Sequence, residues 1–280
     1  MLNLASLCFP DREKSCFFCC PPIRDPEADP LDDIATRRAA LRRNRRELEQ
    51  NLASPREIPG DSCWGLGFLD DQEKQAGCLL HPLQNHGRDL RHLTGYQFKC
   101  ANALCREAQV FSGLQENEKE FCLNLCRGMN SFTYSSRSNP LMQLLAWEEK
   151  MVGLIAGKHP AGLNRNDFTN AYGFLWRDLD FRLDGYLAVE IATRRDPDFL
   201  RERLTLYSGF RQNIIAKLKD LGADLAASSD SQCPSHCLAI PLSLSRLLKF
   251  GAGLWKLPLD SDTTILSLVN SEIDQFLKYT

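Results

Sequence analysis

The chain has no apolar run near the roughly 18 to 20 residues that a membrane helix needs, so its sequence predicts no transmembrane segment. A secretory signal is also missing. Met1 to Phe9 is short, without a basic start or a long apolar stretch. Leu4-Ala5-Ser6-Leu7-Cys8 has the outline of a lipoprotein cleavage box, but a bulky Leu7 stands where a small residue is required. Excess charge of one sign is lacking. The 34 basic and 36 acidic residues leave a net charge of -2, which gives no global pull toward nucleic acid or anionic membrane. No G-x-x-x-x-G-K-[ST] loop, G-x-G-x-x-G turn, H-E-x-x-H helix or G-x-S-x-G elbow occurs, and the C-x-x-x-C-x-x-C arrangement of radical enzymes is absent. Standard nucleotide, zinc-protease and serine-hydrolase chemistry therefore have no motif to stand on.

What is present is cysteine, 12 residues of it, in tight groups. Cys8, Cys16, Cys19 and Cys20 open the chain. Cys63, Cys78, Cys100 and Cys105 follow, with His81 close to Cys78. Cys122 with Cys126, and Cys233 with Cys237, complete the set. Without an export signal the expected compartment is a reducing cytoplasm, where clustered thiols are metal ligands or redox groups more often than disulfides. Four thiolates at about 2.3 Å satisfy tetrahedral zinc, and four equally hold an iron–sulfur cluster. Cys16-x-x-Cys19 and Cys78-x-x-His81 have ligand-type spacing, and Cys100-x4-Cys105 can close a site. Adjacent Cys19 and Cys20 point in opposite directions in an extended stretch, so one of them is left for a second ion or remains a thiol. Cys122 and Cys126, one helical turn apart, either meet Cys233 and Cys237 or are small buried apolar residues.

Along the chain, prolines break residues 1–32, and residues 32–52 read as a helix with an Ile34, Leu41, Leu48, Leu52 stripe and an arginine-rich remainder. Ser54 to Asp61 reads as a linker, 62–113 as loop-rich, 116–128 as a helix, and 129–138 as a polar break. From Asn139-Pro140 onward helices dominate. One is expected through Phe168, Leu175, Leu179 and Leu187. Another runs from Asp196-Pro197 to a Gly222 cap, and two more lie near 241–250 and 262–279. The expected fold is mainly α: a loop-rich, metal-stapled N-terminal part packed on a C-terminal helical bundle, with domains at 1–130 and 139–280.

The segments SCFFCCPPI at 15–23, CWGLGFLDDQEKQAGCLLHP at 63–82 and GYQFKC ending at Cys100 resemble the zinc/iron-chelating cysteine-cluster family of bacterial proteins over residues 8–105. That resemblance implies metal binding rather than a reaction, with Cys16, Cys19, Cys20, Cys63, Cys78 and Cys100 as the metal-facing set.

Three further features have bland readings. Arg37, Arg38, Arg42, Arg43, Arg45 and Arg46 can contact phosphate, but nearby Asp32, Asp33, Glu47 and Glu49 make a solvated helix face the simpler reading. His86 and His92 flank Asp89 in what reads as a polar loop. Asp178, Asp180 and Asp184 interleave with Arg177 and Arg182 as paired helix charges. The expectation is a cytoplasmic, non-catalytic zinc protein with ligands among Cys8, Cys16, Cys19, Cys20, Cys63, Cys78, His81, Cys100 and Cys105. Its partners are the metal ion and a protein engaged through the bundle, with no membrane and no nucleic acid expected. Two alternatives remain: an iron–sulfur redox protein using the same cysteines, and a thiol-redox role for Cys19 with Cys20 or Cys122 with Cys126.

Overall fold

The computed structural model describes residues 6–11, 13–18, 33–50, 63–102, 105–177, 185–228 and 232–279. The proline-rich stretch, the linker after Ser54, Cys19, Cys20, and Asp178, Asp180 and Asp184 lie outside those residues. The protein is mainly α, with 65% helix and 5% strand. It divides into two compact units: Met1–Glu149 with Gly162–Arg165, and Lys150–Ala161 with Asn166–Thr280.

The first unit is built around a helix laid on a short hairpin. Helix α1 spans Ile34–Gln50 and buries Leu41, Asn44 and Leu48. Strands β1 (Leu66–Phe68) and β2 (Ala76–Cys78) pair antiparallel, with Leu66 opposite Cys78 and Phe68 opposite Ala76. The buried Asn44 is satisfied by donating to the carbonyls of Cys63 (3.2 Å) and Leu66 (2.9 Å), which ties α1 to β1 and removes the cost of a buried unpaired amide. Gly67 is required by this close approach, because a Cβ there would stand 2.5 Å from Leu79 and 3.3 Å from the Leu41 carbonyl. The arginine face of α1 closes over the hairpin turn: Arg38 and Arg42 bind Glu73, and Arg45 binds Asp71 at 2.5 Å. Phe17, Leu41, Leu48, Trp64, Leu66, Phe68, Leu80 and Phe132 share the core.

Further helices of this unit are α2 (Gln97–Asn102), α3 (Arg106–Gly113), α4 (Glu116–Leu125), α5 (Ser131–Ser135) and α6 (Pro140–Leu145). Helix α5 replaces the polar break expected at 129–138. Its serines are buried, and their hydroxyls serve the backbone of the irregular N-terminal segment. Ser131 Oγ accepts from the Ser15 and Ala76 amides, both at 3.1 Å. Ser135 Oγ accepts from the Phe17 amide at 3.0 Å, and the Tyr134 hydroxyl donates to the Leu7 carbonyl at 2.7 Å.

The second unit is helical throughout its core. It takes most of α7 (Glu148–Lys158) and α8 (Arg165–Tyr172), then α9 (Phe174–Arg177), α10 (Gly185–Arg194), α11 (Pro197–Glu202), α12 (Leu204–Ala227), α13 (Leu242–Arg246) and α14 (Asp262–Tyr279). The helix expected to run unbroken from Phe168 is interrupted at Gly173, between α8 and α9. Asp196 caps α11 as its sequence implied, accepting from the Asp198 and Phe199 amides at 2.6 and 3.0 Å. Gly222 is not a cap. It lies inside α12, where a Cβ would meet Leu254 at 2.5 Å. Ile214 and Leu218 of α12 are fully buried, as are Val269 and Ile273 of α14. Between these helices Glu272 accepts from Lys217 at 2.7 Å and from Asn213 at 3.4 Å. Arg194 of α10 donates to Asp274 (2.8 Å) and Asn270 (2.5 Å) of α14.

Among the described residues no helix is long and apolar enough to cross a membrane.

Candidate functional site

The cysteines that the sequence singled out fall in different surroundings. Cys8 and Cys16 are half-buried neighbours in the N-terminal segment, the Cys16 amide donating to the Cys8 carbonyl at 2.9 Å. Cys63, Cys78 and Cys100 border the hairpin. Cys63 belongs to the core under α1, and Cys78 packs against the same cluster. Burial pushes the Cys78 thiol up to about 12. The negative charges that Cys63 and Cys100 would carry raise it further, while the Leu80 amide and Arg91 oppose the shift. Cys105 caps α3, its sulfur accepting from the Ala108 amide at 3.4 Å. The His81 ring also caps a turn. Its Nδ1 accepts from the Leu83 amide at 3.2 Å, and burial pushes its pKa down.

Among the described residues no group of three or more His, Cys, Asp or Glu side chains is placed to hold a metal ion. This overturns the expected Cys-ligated zinc protein and, with it, the iron–sulfur alternative. The physical reason lies in competing uses of the same atoms. The Cys105 sulfur and the His81 ring are spent on helix and turn caps, and Cys63 sits in the apolar core. Cys122 and Cys126 are fully buried between helices. Burial raises both thiols, Cys126 to about 12, so at neutral pH they are protonated and poor nucleophiles. The redox alternative loses its Cys122–Cys126 pair for that reason.

The His–Asp pairing near residue 89 is also absent as acid–base chemistry. Asp89 is held by Arg91 through two bonds, Nε at 2.9 Å and a terminal nitrogen at 2.7 Å. That contact lowers the Asp89 carboxyl to about 2. His92 instead reaches the Asp89 backbone carbonyl, at 3.1 Å.

A second feature was not expected from the sequence. In the second unit the chain from the start of α13 to the start of α14 presents large apolar side chains to solvent. Leu242 is 59% exposed, Phe250 58%, Trp255 54% and Leu259 58%. The backbone beneath them is tightly held. Residues Leu247–Gly251 form a π-helical turn, closed by the Ala252 amide on the Leu247 carbonyl at 3.0 Å. The Leu254 amide then bonds the Leu248 carbonyl at 2.8 Å, and Gly253 supplies the left-handed turn with φ +74. Strand β3 (Cys233–Pro234) pairs with β4 (Lys256–Leu257), and the Trp255 carbonyl accepts from the Ser235 amide at 3.0 Å. Leu247, Leu248 and Leu257 anchor the segment from below and are buried. The sequence signal was available: Lys249-Phe250-Gly251-Ala252-Gly253-Leu254-Trp255 is apolar yet has neither helical nor strand periodicity.

No family model, curated protein or solved structure matches the chain.

Proposed function

We propose that the chain is a binding module whose C-terminal helical unit engages a protein partner through Leu242, Phe250, Trp255 and Leu259. The observation carrying this reading is the exposure of four large apolar side chains within residues 242–259, on a backbone pinned on both sides. An exposed Phe and Trp on a well-ordered turn lose little freedom on binding, and aromatic anchors of this kind dominate interface energies. A π-helical turn is an uncommon element that recurs at functional sites. Lys249 and Lys256, and Asp260 and Asp262, are chain neighbours of these apolar residues, so the segment carries both signs of charge. This mix of charges suits a protein surface better than an anionic bilayer, which selects a strongly basic face.

Site-specific photo-crosslinking tests the proposal. A photoreactive phenylalanine analogue at position 250 of the full chain, in its native cell, gives a discrete protein adduct. Leu259→Asp removes that adduct, and the same probe at the exposed Phe98 of the first unit does not give it. Equal adducts at both positions, or none at 250, contradict the reading.

A further inference from the structure

The first unit carries a second feature, separate from the patch. The irregular segment around residues 14–17 lies against β2 and α5, and its backbone is met there by side chains. The Ser15 amide donates to Ser131 Oγ at 3.1 Å, and the Ser15 carbonyl accepts from Ser135 Oγ at 3.4 Å. The Phe17 amide donates to the same Ser135 Oγ at 3.0 Å, and Gln75 Nε2 donates to the Lys14 carbonyl at 3.2 Å. Two side chains of the segment fill places of their own. The Ser15 hydroxyl donates to the Ala76 carbonyl, and Gly77 leaves room for it, since a Cβ there would stand 3.1 Å from the Ser15 oxygen. The Phe17 ring, 3% exposed, stands edge-on to Phe132, with centroids 5.4 Å apart and planes at 81°. The Lys14 ammonium lies 6.0 Å from the Tyr134 ring centroid.

The segment also holds its own shape. The Asp11 carboxylate accepts from the Glu13 and Lys14 amides at 2.8 and 3.0 Å and pairs with the Lys14 ammonium. The Cys16 amide closes the loop on the Cys8 carbonyl at 2.9 Å. Between this loop and α1 the sequence carries Pro21, Pro22, Pro26 and Pro30, which exclude a helix running on into α1. Backbone bonds supplied by a receiving surface, with pockets for alternate side chains, are the pattern by which extended peptides are recognised. A loop that is already shaped loses little freedom on docking. We infer that β2 and α5 form a peptide-binding groove, that residues 6–18 are its built-in occupant, and that it takes an extended Lys-Ser-x-Phe segment from another chain when that occupant leaves. The tether keeps the occupant at an effective concentration of about millimolar, so a separate peptide competes poorly until the tether is cut.

The test uses the full chain with a site-specific protease sequence in place of residues 24–29, folded first and then cut. The probe is a fluorescein-labelled peptide of residues 6–18, followed by anisotropy over a day. The cut protein is expected to keep its circular dichroism and to take up the peptide, with unlabelled peptide displacing it. The uncut protein is expected to bind at least about tenfold more weakly, because the tethered segment competes. A peptide carrying Phe17→Ala is expected to bind the cut protein at least about thirtyfold more weakly, as loss of a buried aromatic anchor does. Loss of the native circular dichroism on cutting shows that the segment is an inseparable part of the fold and overturns the inference. So does a cut protein that keeps its spectrum yet takes up no peptide, equal binding by cut and uncut protein, or equal binding of the Phe17→Ala peptide.

Discussion

Trp255 stands edge-on to Phe250, ring centroids 5.2 Å apart and planes at 83°, with both side chains more than half exposed. Edge-to-face pairs are ordinarily core contacts, and each aromatic ring carries a large apolar area. Here the contact holds two rings in fixed orientation at the surface. The backbone under Trp255 is set by the β3–β4 pairing and that under Phe250 by the π-helical turn. The position of the pair is therefore set by the backbone beneath it.

Ser131 is the polar hub of the first unit. Its hydroxyl accepts from two buried amides, those of Ser15 and Ala76. Ser131→Ala leaves both amides without that acceptor and is expected to cost about 2–6 kcal/mol, since each buried unsatisfied group costs about 1–3 kcal/mol. Urea unfolding followed by circular dichroism measures it. A loss below about 0.5 kcal/mol would show that the N-terminal segment is not held through this hydroxyl.

Asp89 gives the first unit an acid-sensitive contact. Its carboxyl is lowered to about 2 by the Arg91 hydrogen bonds, from an ordinary value near about 3.9. A depressed carboxyl stabilises the fold above its unfolded pKa, and that contribution is lost as pH falls through the folded value. Thermal stability is therefore expected to drop between about pH 4 and pH 2. Asp89→Asn should lower stability near neutrality and reduce the size of that acid drop, leaving the part contributed by other lowered carboxylates such as Glu73 and Asp196. Identical pH profiles for the two proteins would contradict the assignment.

Glu272 is a buried carboxylate, its side chain 6% exposed, and Lys217 reaches it from a position 40% exposed. Lys217→Met leaves the carboxylate with only Asn213, so the α12–α14 contact weakens. Solvent access on the lysine side limits the expected loss to about 1–2 kcal/mol. Adding Glu272→Gln to that variant should recover most of the loss, because the uncompensated charge is gone. A double-mutant cycle by chemical denaturation measures the coupling, and strict additivity would sink this account.

The cysteines should separate sharply in native alkylation. Cys237 is exposed and is expected to react with iodoacetamide within minutes. Cys122 and Cys126 are fully buried with raised pKa values, and are expected to react only on unfolding. Rapid native labelling of Cys126 would contradict the described packing.

The sequence disclosed the helices that carry their own punctuation. Asn139-Pro140, Asp196-Pro197 and the final amphipathic run were legible because caps and apolar periodicity are local properties. Helix α5 was not legible. Its serines read as solvent-facing, but their partners are backbone amides of Ser15, Phe17 and Ala76, distant in sequence. Gly222 read as a cap because glycine ends many helices. Here it makes room for Leu254 instead. Cysteine spacing was misleading in the same way. Spacing says which sulfurs can converge, while burial and capping decide what they do, and Cys105 and Cys126 are spent on structure. The aromatic patch escaped because exposure is not a periodic signal.

Fluorine NMR of the full chain labelled with 5-fluorotryptophan tests the central claim most directly. Trp255 is the exposed label and Trp64, at 5% exposure, the buried reference. Trp255→Phe assigns the first resonance. On addition of the protein captured at position 250, the Trp255 signal is predicted to shift or broaden while the Trp64 signal stays in place. An unchanged Trp255 resonance at saturating partner would contradict the account.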